Sequence, residues 1–283
     1  MRAYILTDQG PAMRDAAKVL PRQGQVLVKV AANGLNRVDL GMSTGALHGA
    51  RGGIGTVLGS EWSGTIEAVG PGVTDHKEGD RVMGASASAF AEYVVVHAAH
   101  LLAIPENLSF EDAACFPVGL RTMHDAIVTV GKFQPGQTVM IQGASSGVGI
   151  LGLQIAKVLE YTSGVGVDLI VDQVSGPVVN GNMRATKLEG RIVNVGRLGG
   201  TRSEFNADLH ALRRIHYLGV TFRTRTLDEI GEINRRANAD LAGPLAAGQL
   251  KMPIDEVFAF AQVEQAMGKM ARNQHFGKIV LKH

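Results

Sequence analysis

The chain has 283 residues, 28 basic and 26 acidic, for a formal charge of +2 with histidine neutral. That length suits two ordinary domains or one large one, and 45% hydrophobic against 19% charged residues supplies a sizeable core, which excludes a disordered chain. So small a charge gives no argument for nucleic acid or an anionic membrane surface; the lone cysteine, Cys115, excludes an intrachain disulfide and a zinc site of several thiolates, and fits a cytoplasmic setting. Glycine is the anomaly: 36 of 283 residues is about 13%, against a usual ~7%, which predicts many tight turns and close backbone approaches.

The opening residues MRAYILTDQG alternate in hydropathy with an acid close behind, which predicts a first strand rather than a signal peptide. No window approaches eighteen uncharged apolar residues, so no membrane span is expected. Up to about residue 108 the pattern is short and β-like: 25–31, 65–69 and 91–96 are valine-rich, with turn signals at Gly70-Pro71-Gly72 and Glu78-Gly79-Asp80. A compact, mostly antiparallel β domain is expected there. The texture changes at Ser109-Phe110-Glu111-Asp112, which has the form of a helix N-cap. Pro117 should interrupt that helix, with a second resuming over 120–130. Strands are expected at 138–142, 167–171 and 191–195, with helices between them, and the end reads strand, helix, strand over 254–281. Alternating strands and helices predict a parallel, doubly wound sheet.

The strongest chemical signal is Gly143-Ala144-Ser145-Ser146-Gly147-Val148-Gly149, set between the strand at 138–142 and a helix over 150–159. A helix start offers unpaired N–H groups and a positive dipole end, and glycines admit a diphosphate to the backbone. The match to G-x-G-x-x-G is loose, since counting back from Gly149 the two earlier glycine positions hold Ala144 and Ser146. Dinucleotide binding and simple close packing of strand on helix are both open. Asp172, 23 residues past Gly149, stands near the ~20 expected of an acid holding the adenosine ribose, which on its own would favour NAD.

Several stretches together resemble the zinc-lacking quinone oxidoreductase and enoyl reductase group of the medium-chain dehydrogenase/reductase superfamily. They are Ala32-Asn33-Gly34-Leu35-Asn36-Arg37-Val38-Asp39, Leu58-Gly59-Ser60-Glu61-Trp62-Ser63-Gly64, Glu78-Gly79-Asp80-Arg81-Val82, the glycine loop, and His275-Phe276-Gly277-Lys278-Ile279-Val280-Leu281. The resemblance implies an α/β fold: a GroES-like, mostly-β catalytic domain over 1–113, a Rossmann cofactor domain over 114–243 and a return to the catalytic domain over 244–283. Zinc alcohol dehydrogenases carry Cys where this chain has Asn36 and His where it has Ser60, so no zinc is expected. His97 and His100, three apart, are expected as packing residues rather than ligands, and Cys115 as a buried small apolar residue.

One departure stands out. Relatives carry about 40–50 further residues after the glycine-loop helix, with two more strands, one of which contacts the adenosine ribose. Here Leu159 runs straight into Glu160-Tyr161-Thr162-Ser163-Gly164. By resemblance 167–172 is then the fourth Rossmann strand, and strands 2 and 3 are missing after residue 159. Joining the first helix directly to strand 4 also calls for a rare left-handed crossover. Residues left out of the sequence, a genuine deletion, and placement of 167–171 in the strand-2 slot are the three readings, and only the last makes Asp172 a ribose ligand.

The resemblance implies hydride transfer from NADPH, with NADH as the second choice, to a small electrophilic carbonyl or quinone. It places Asn36 at the nicotinamide ribose or substrate and Thr122 near the nicotinamide carboxamide; a turn-forming asparagine and a plain helix residue are the alternatives. Ala144, Ser146, Gly147, Val148 and Gly149 are expected at the diphosphate, and Asn194, Val195 and Gly196 at the cofactor crevice beyond the fifth strand. Phe222-Arg223-Thr224-Arg225 is expected mainly as solvated charge, with cofactor phosphate or substrate as the arginines' alternative partner; Tyr4 and Tyr93 are proton donors only if geometry allows, and no general acid is assigned. A cytoplasmic homodimer joined through the sixth strand, around residues 217–222, is expected. The alternative is a crystallin-like NAD(P)H-binding scaffold or an inactive deletion variant.

Overall fold

The computed structural model describes residues 1–47, 52–144, 146, 150, 154 and 166–283. By chain contacts it divides into two compact units, the first Met1–Val118, Arg223–Ala239 and Met252–His283, the second Gly119–Phe222 and Asp240–Lys251.

The first unit opens with a hairpin, β1 (Arg2–Thr7) and β2 (Gly10–Asp15), paired from Arg2↔Asp15 to Thr7↔Gly10. Hydropathy gives no hint of β2, because Pro11, Arg14 and Asp15 break the alternation; backbone pairing alone makes the strand, and a proline near its start is tolerated at a sheet edge. Next come β3 (Gln25–Gly34), helix α1 (Arg37–Ser43), β4 (Trp62–Val69), β5 (Arg81–Gly84), β6 (Tyr93–His97) and β7 (Leu102–Ala103). Helix α2 (Phe110–Ala113) starts where expected, with Ser109 Oγ accepting the Asp112 N–H at 3.0 Å. Helix α3 (Pro117–His124) begins at the proline, a position where its missing N–H costs nothing. Residues 120–130 do not form one α-helix, because Asp125–Val130 continues with π-helical hydrogen bonding.

The second unit holds β8 (Val139–Ile141), β9 (Val167–Asp172), β10 (Thr186–Asn194) and β11 (His216–Gly219); β12 (Ile254–Ala259) and β13 (Lys278–Lys282) return to the first unit. There β12-β13-β3-β4-β5-β7 form one sheet, with β6 also paired to β3. All its pairs are antiparallel except β12 with β13. Val26, Val28 and Val30 alternate into a core with Trp62, Ile66, Val82, Val94 and Val96. Trp62 is fully buried and faces Gly84, where a Cβ would come within 2.6 Å of the indole, so glycine is required. A second cluster joins Tyr4, Leu6, Leu35 and Met42 to Val263, Met267 and Met270 of the helix Val263–Ala271 and to Ile279 and Leu281 of β13.

In the second unit β8, β9, β10 and β11 are all parallel and lie in that spatial order. Leu169, Ile170, Val171, Ile192 and Val193 are fully buried, as befits a parallel sheet covered on both faces. The order decides among the readings of 167–172. In 3-2-1-4-5-6 a strand in slot 2 would be followed by slot 3, and the next strand would return beside strand 1. Instead β11 lies beyond β10 and away from β8, which is the order 1-4-5-6. The second unit is therefore a Rossmann-type sheet without strands 2 and 3 among the described residues.

Candidate functional site

In the first unit the ends of β3 and β13 and the loop before β4 bring together four polar side chains that the sequence scatters over 243 positions. Asn36, Asp39, Glu61 and Lys278 are all buried, Glu61 and Asp39 completely. Lys278 Nζ donates to Asn36 Oδ1 at 2.9 Å and to Leu35 O at 3.4 Å, and forms an ion pair with Glu61 Oε2. Three donors thus meet three acceptors. Glu61 Oε2 also accepts from Asn36 Nδ2 at 2.9 Å, and Oε1 accepts the Val118 N–H at 2.7 Å. Asn36 Nδ2 has a longer contact to Ser60 Oγ at 3.2 Å. Asp39, at the third position of α1, reaches back to accept the Asn36 N–H at 2.7 Å, which fixes the turn that presents Asn36.

The charges explain the one unusual acid here. Glu61 and Lys278 neutralise each other, so Asp39 is the surplus carboxyl. Burial pushes its pKa up to about 7, and the nearby Glu61 adds to this against the opposing pull of the Asn36 N–H, Ser60 and Lys278. Oδ1 of Asp39 has no hydrogen-bond partner, as suits a group that spends part of its time protonated. Cys115 is buried, donates to Glu111 O at 3.3 Å, and burial pushes its thiol up, which makes it an inert packing residue.

A zinc ion fits this cluster badly. An amide and a hydroxyl stand at Asn36 and Ser60 in place of good ligands, and the Lys278 ammonium sits against Glu61, the carboxylate a metal would need. Among the described residues no three His, Cys, Asp or Glu side chains gather in a ligand set. His97 Nδ1 accepts the Ala99 N–H and His100 Nε2 bonds Leu227 O at 3.0 Å, so each ring is used locally.

In the second unit the chemistry collects at the carboxyl ends of β9 and β10, where Asp172 pairs with Asn194 in register. Val195 N–H and Gly196 N–H both donate to Asp172 O. Gly196 packs so closely that a Cβ would meet Gln173 O at 2.5 Å, so its glycine serves the chain's own backbone. Asn194 donates to Ser175 Oγ, and Gln173 Nε2 donates to Gln142 O at 2.9 Å. Ser146 Oγ donates to Gly143 O at 2.8 Å, and the Ile150 N–H donates to Ser146 O. Ala144 is half-buried beside it; Gly147, Val148 and Gly149 lie outside the described residues. Thr122 is half-buried on α3. Tyr4 is core, Tyr93 carries the Lys18 ammonium over its ring at 3.9 Å, and Phe222 lies under the Arg121 guanidinium at 4.4 Å.

Asp172 does not present its carboxylate outward. It is fully buried; Oδ1 accepts the Val174 and Ser175 N–H groups at 2.8 Å each, and Oδ2 accepts Asn182 Nδ2 at 3.0 Å. Its role is to shape the turn after β9. Sequence reasoning missed Glu61, Lys278 and Asp39 as a set, though a lysine opening the apolar run Ile279-Val280-Leu281 and a glutamate beside Trp62 were both visible.

Known proteins match along the whole chain. The family description "Alcohol dehydrogenase GroES-like domain" matches residues 22–106, and "Zinc-binding dehydrogenase" matches 153–281. The synaptic vesicle membrane protein VAT-1 homolog of Danio rerio is 28% identical over 337 aligned positions, covering 99% of this chain and 69% of that protein. Since the chain has 283 residues, at least 54 of those positions fall in gaps on this side. The polyketide synthase GfsB of Streptomyces halstedii is 27% identical over 99% of this chain, which spans 6% of the synthase. An alcohol dehydrogenase superfamily protein from Novosphingobium aromaticivorans superposes with a TM-score of 0.87 at 25% identity, covering 100% of this chain and 99% of the other. The CurK enoyl reductase (0.86, 21% identity, 99% of each chain) and a mycobacterial quinone oxidoreductase (0.87, 21%, all of each chain), also solved with NADPH, share the fold. The two family matches, over 22–106 and 153–281, together identify the chain as a member of the medium-chain dehydrogenase/reductase superfamily of oxidoreductases.

Proposed function

We propose that the protein transfers hydride from a reduced nicotinamide cofactor, NADPH by its resemblance, to a quinone or an α,β-unsaturated carbonyl, without zinc. The observation that carries this is the closed Asn36–Glu61–Lys278 cluster, where a fixed ammonium takes the place of a metal's charge. Without a Lewis acid, oxidation of a simple alcohol is disfavoured, whereas an enone or quinone is electrophilic enough to need only hydrogen-bond help.

When bound, the reduced nicotinamide supplies the hydride. The chain's own part is to bind, orient and exclude water. Backbone N–H groups of Gly147, Val148 and Gly149 would hold phosphate, with Ala144 and Ser146 alongside. Asn194, Val195 and Gly196 would line the carboxyl-end crevice. Thr122 is proposed near the carboxamide. Asn36 is proposed at the nicotinamide ribose or substrate, giving up its long Ser60 contact while the Glu61 and Lys278 bonds hold its amide in place. Solvent protonates the resulting enolate. The domain limits 1–113, 114–243 and 244–283, a homodimer and a cytoplasmic location belong to the same proposal; no described helix is long and apolar enough to cross a membrane.

The lack of strands 2 and 3 among the described residues favours one rival, an NAD(P)H-binding scaffold or inactive variant. Mixing the protein with NADPH and 1,4-naphthoquinone, an enone or a 2-enoyl thioester should give falling absorbance at 340 nm, unchanged after dialysis against a chelator. A flat trace with all three acceptors would leave the scaffold. Activity lost to chelator and restored by zinc would remove the metal-free mechanism.

A further inference from the structure

We infer that Asn36 donates a hydrogen bond to the carbonyl oxygen of the acceptor, and that Glu61 and Lys278 are positioning residues that lock its amide so that only a donor is offered. This rests on the hydride-transfer reading, and it chooses the substrate over the nicotinamide ribose as the partner of Asn36.

One end of an amide only accepts and the other only donates, so its partners decide which way it stands. Asn36 has partners of full and opposite charge. Lys278 Nζ, a donor without acceptor capacity, is 2.9 Å from Oδ1, and Glu61 Oε2, an acceptor, is 2.9 Å from Nδ2. Turning the amide over would set N–H against ammonium and oxygen against carboxylate, two repulsions in place of two charge-assisted bonds. Neither partner is free to move aside. Glu61 Oε1 holds the Val118 N–H at 2.7 Å, and Lys278 is tied to Leu35 O. Asp39 accepts the Asn36 backbone N–H at 2.7 Å and fixes the turn. Asn36 is 8% exposed, Lys278 3%, and Glu61 and Asp39 are wholly buried, so these bonds act where the dielectric is low and they are strongest.

The lock leaves one hydrogen over. Of the two on Nδ2, one is committed to Glu61; the other has only long contacts, to Ser60 Oγ at 3.2 Å and Gly34 O at 3.5 Å. Ser60 is half-buried, whereas Gly34, Leu35, Glu61 and Lys278 are buried, so the spare hydrogen lies on the side of the amide nearest solvent. It calls for an oxygen that gains charge. Hydride addition at the β-carbon of an enone forms the new C–H bond, moves the C=C pair in between the α-carbon and the carbonyl carbon, and leaves the carbonyl π pair on oxygen. The nicotinamide is thereby oxidised, and a solvent proton completes the product. An N–H held on that oxygen gains strength as the charge arrives, which lowers the barrier rather than merely tightening binding. A ribose hydroxyl both donates and accepts, and would need no amide fixed in one sense.

Asn36→Leu keeps the volume and removes the amide. With 2-cyclohexenone and saturating NADPH its kcat should fall about a hundredfold, the usual cost of one oxyanion donor, while the NADPH dissociation constant read by nicotinamide fluorescence stays within about threefold. A fall in kcat of less than about tenfold, or a loss carried by weaker NADPH binding, would overturn the inference and leave hydride transfer standing. The positioning role is tested by Lys278→Met with Glu61→Gln, which leaves no unpaired buried charge. The new glutamine keeps its oxygen on the Val118 N–H and turns its NH2 toward Asn36, whose amide then turns over and offers an acceptor instead. Its kcat should fall at least about tenfold with NADPH affinity unmoved; a smaller fall would show that the two charges do not set the amide. Should neither variant fold, wild type decides. With NADP⁺ present it should bind 4-nitrophenol as the phenolate, whose oxygen stands in for that of the enolate and whose visible absorbance would appear below the phenol's own pKa. Binding as the neutral phenol, or no binding, would overturn the inference. A wild type that oxidises NADPH with no acceptor would instead remove the hydride-transfer reading, and this inference with it.

Discussion

Replacing Lys278 by methionine should cost the fold about 3–5 kcal/mol, the usual loss when one partner of a buried ion pair is removed. Methionine keeps most of the volume, so the loss comes from charge rather than from a cavity. Glu61 would be left fully buried without its counter-charge, with only the Val118 N–H and the Asn36 amide to hold it. Asn36 Oδ1 would also lose its donor. The control is Lys278→Met with Glu61→Gln. Removing both charges leaves a neutral side chain that still accepts from Val118, and well over half the loss should return. Urea unfolding of wild type, single and double variants measures this. A single variant within 1 kcal/mol of wild type would show that water or local rearrangement already screens Glu61, and the cluster could not then hold Asn36.

The sequence made the architecture readable but not this cluster, and the reason is physical. Strand periodicity and glycine turns are local, so the β domain, the Ser109 cap and the alternating second half could be read from neighbours in the chain. Glu61 and Lys278 are 217 residues apart and meet only because β13 pairs with β3, in the register Val280↔Gly34, Leu281↔Asn33 and Lys282↔Ala32. No spacing rule anticipates a contact set by a sheet order that closes late in the chain. Asn36 shows the same limit from the other side. Its motif, by resemblance, suggested a place at the nicotinamide ribose or substrate but gave no sign that both ends of the amide are bonded inside the unit. Asp172 is the sharpest case: at the right distance from Gly149 for a ribose ligand, it points into its own turn. Spacing fixes where a residue stands along a strand, but the following turn fixes what it bonds.

Asp39→Asn should make the protein more stable above neutral pH and flatten part of its pH dependence. The carboxyl titrates at about 7 in the fold against 3.8 in the unfolded chain, chiefly because burial disfavours its charged form. Between those values the native state keeps a proton that the unfolded chain has lost. Stability from this group is therefore complete below the unfolded pKa, falls as pH rises, and is gone once the folded pKa is passed. Three units correspond to about 4 kcal/mol, of which about 2–3 kcal/mol is lost between pH 5 and pH 8. Asparagine removes the titration yet retains an oxygen to accept the Asn36 N–H, so the first turn of α1 survives. The difference in unfolding free energy, variant minus wild type, should rise by that amount from pH 5 to pH 8. A difference constant to within 0.5 kcal/mol would mean that Asp39 is ionised throughout and that Lys278 serves two carboxylates rather than one. That outcome would also change the charge beside Asn36, because the cluster would then carry a net negative charge where a neutral pair with a protonated acid is expected.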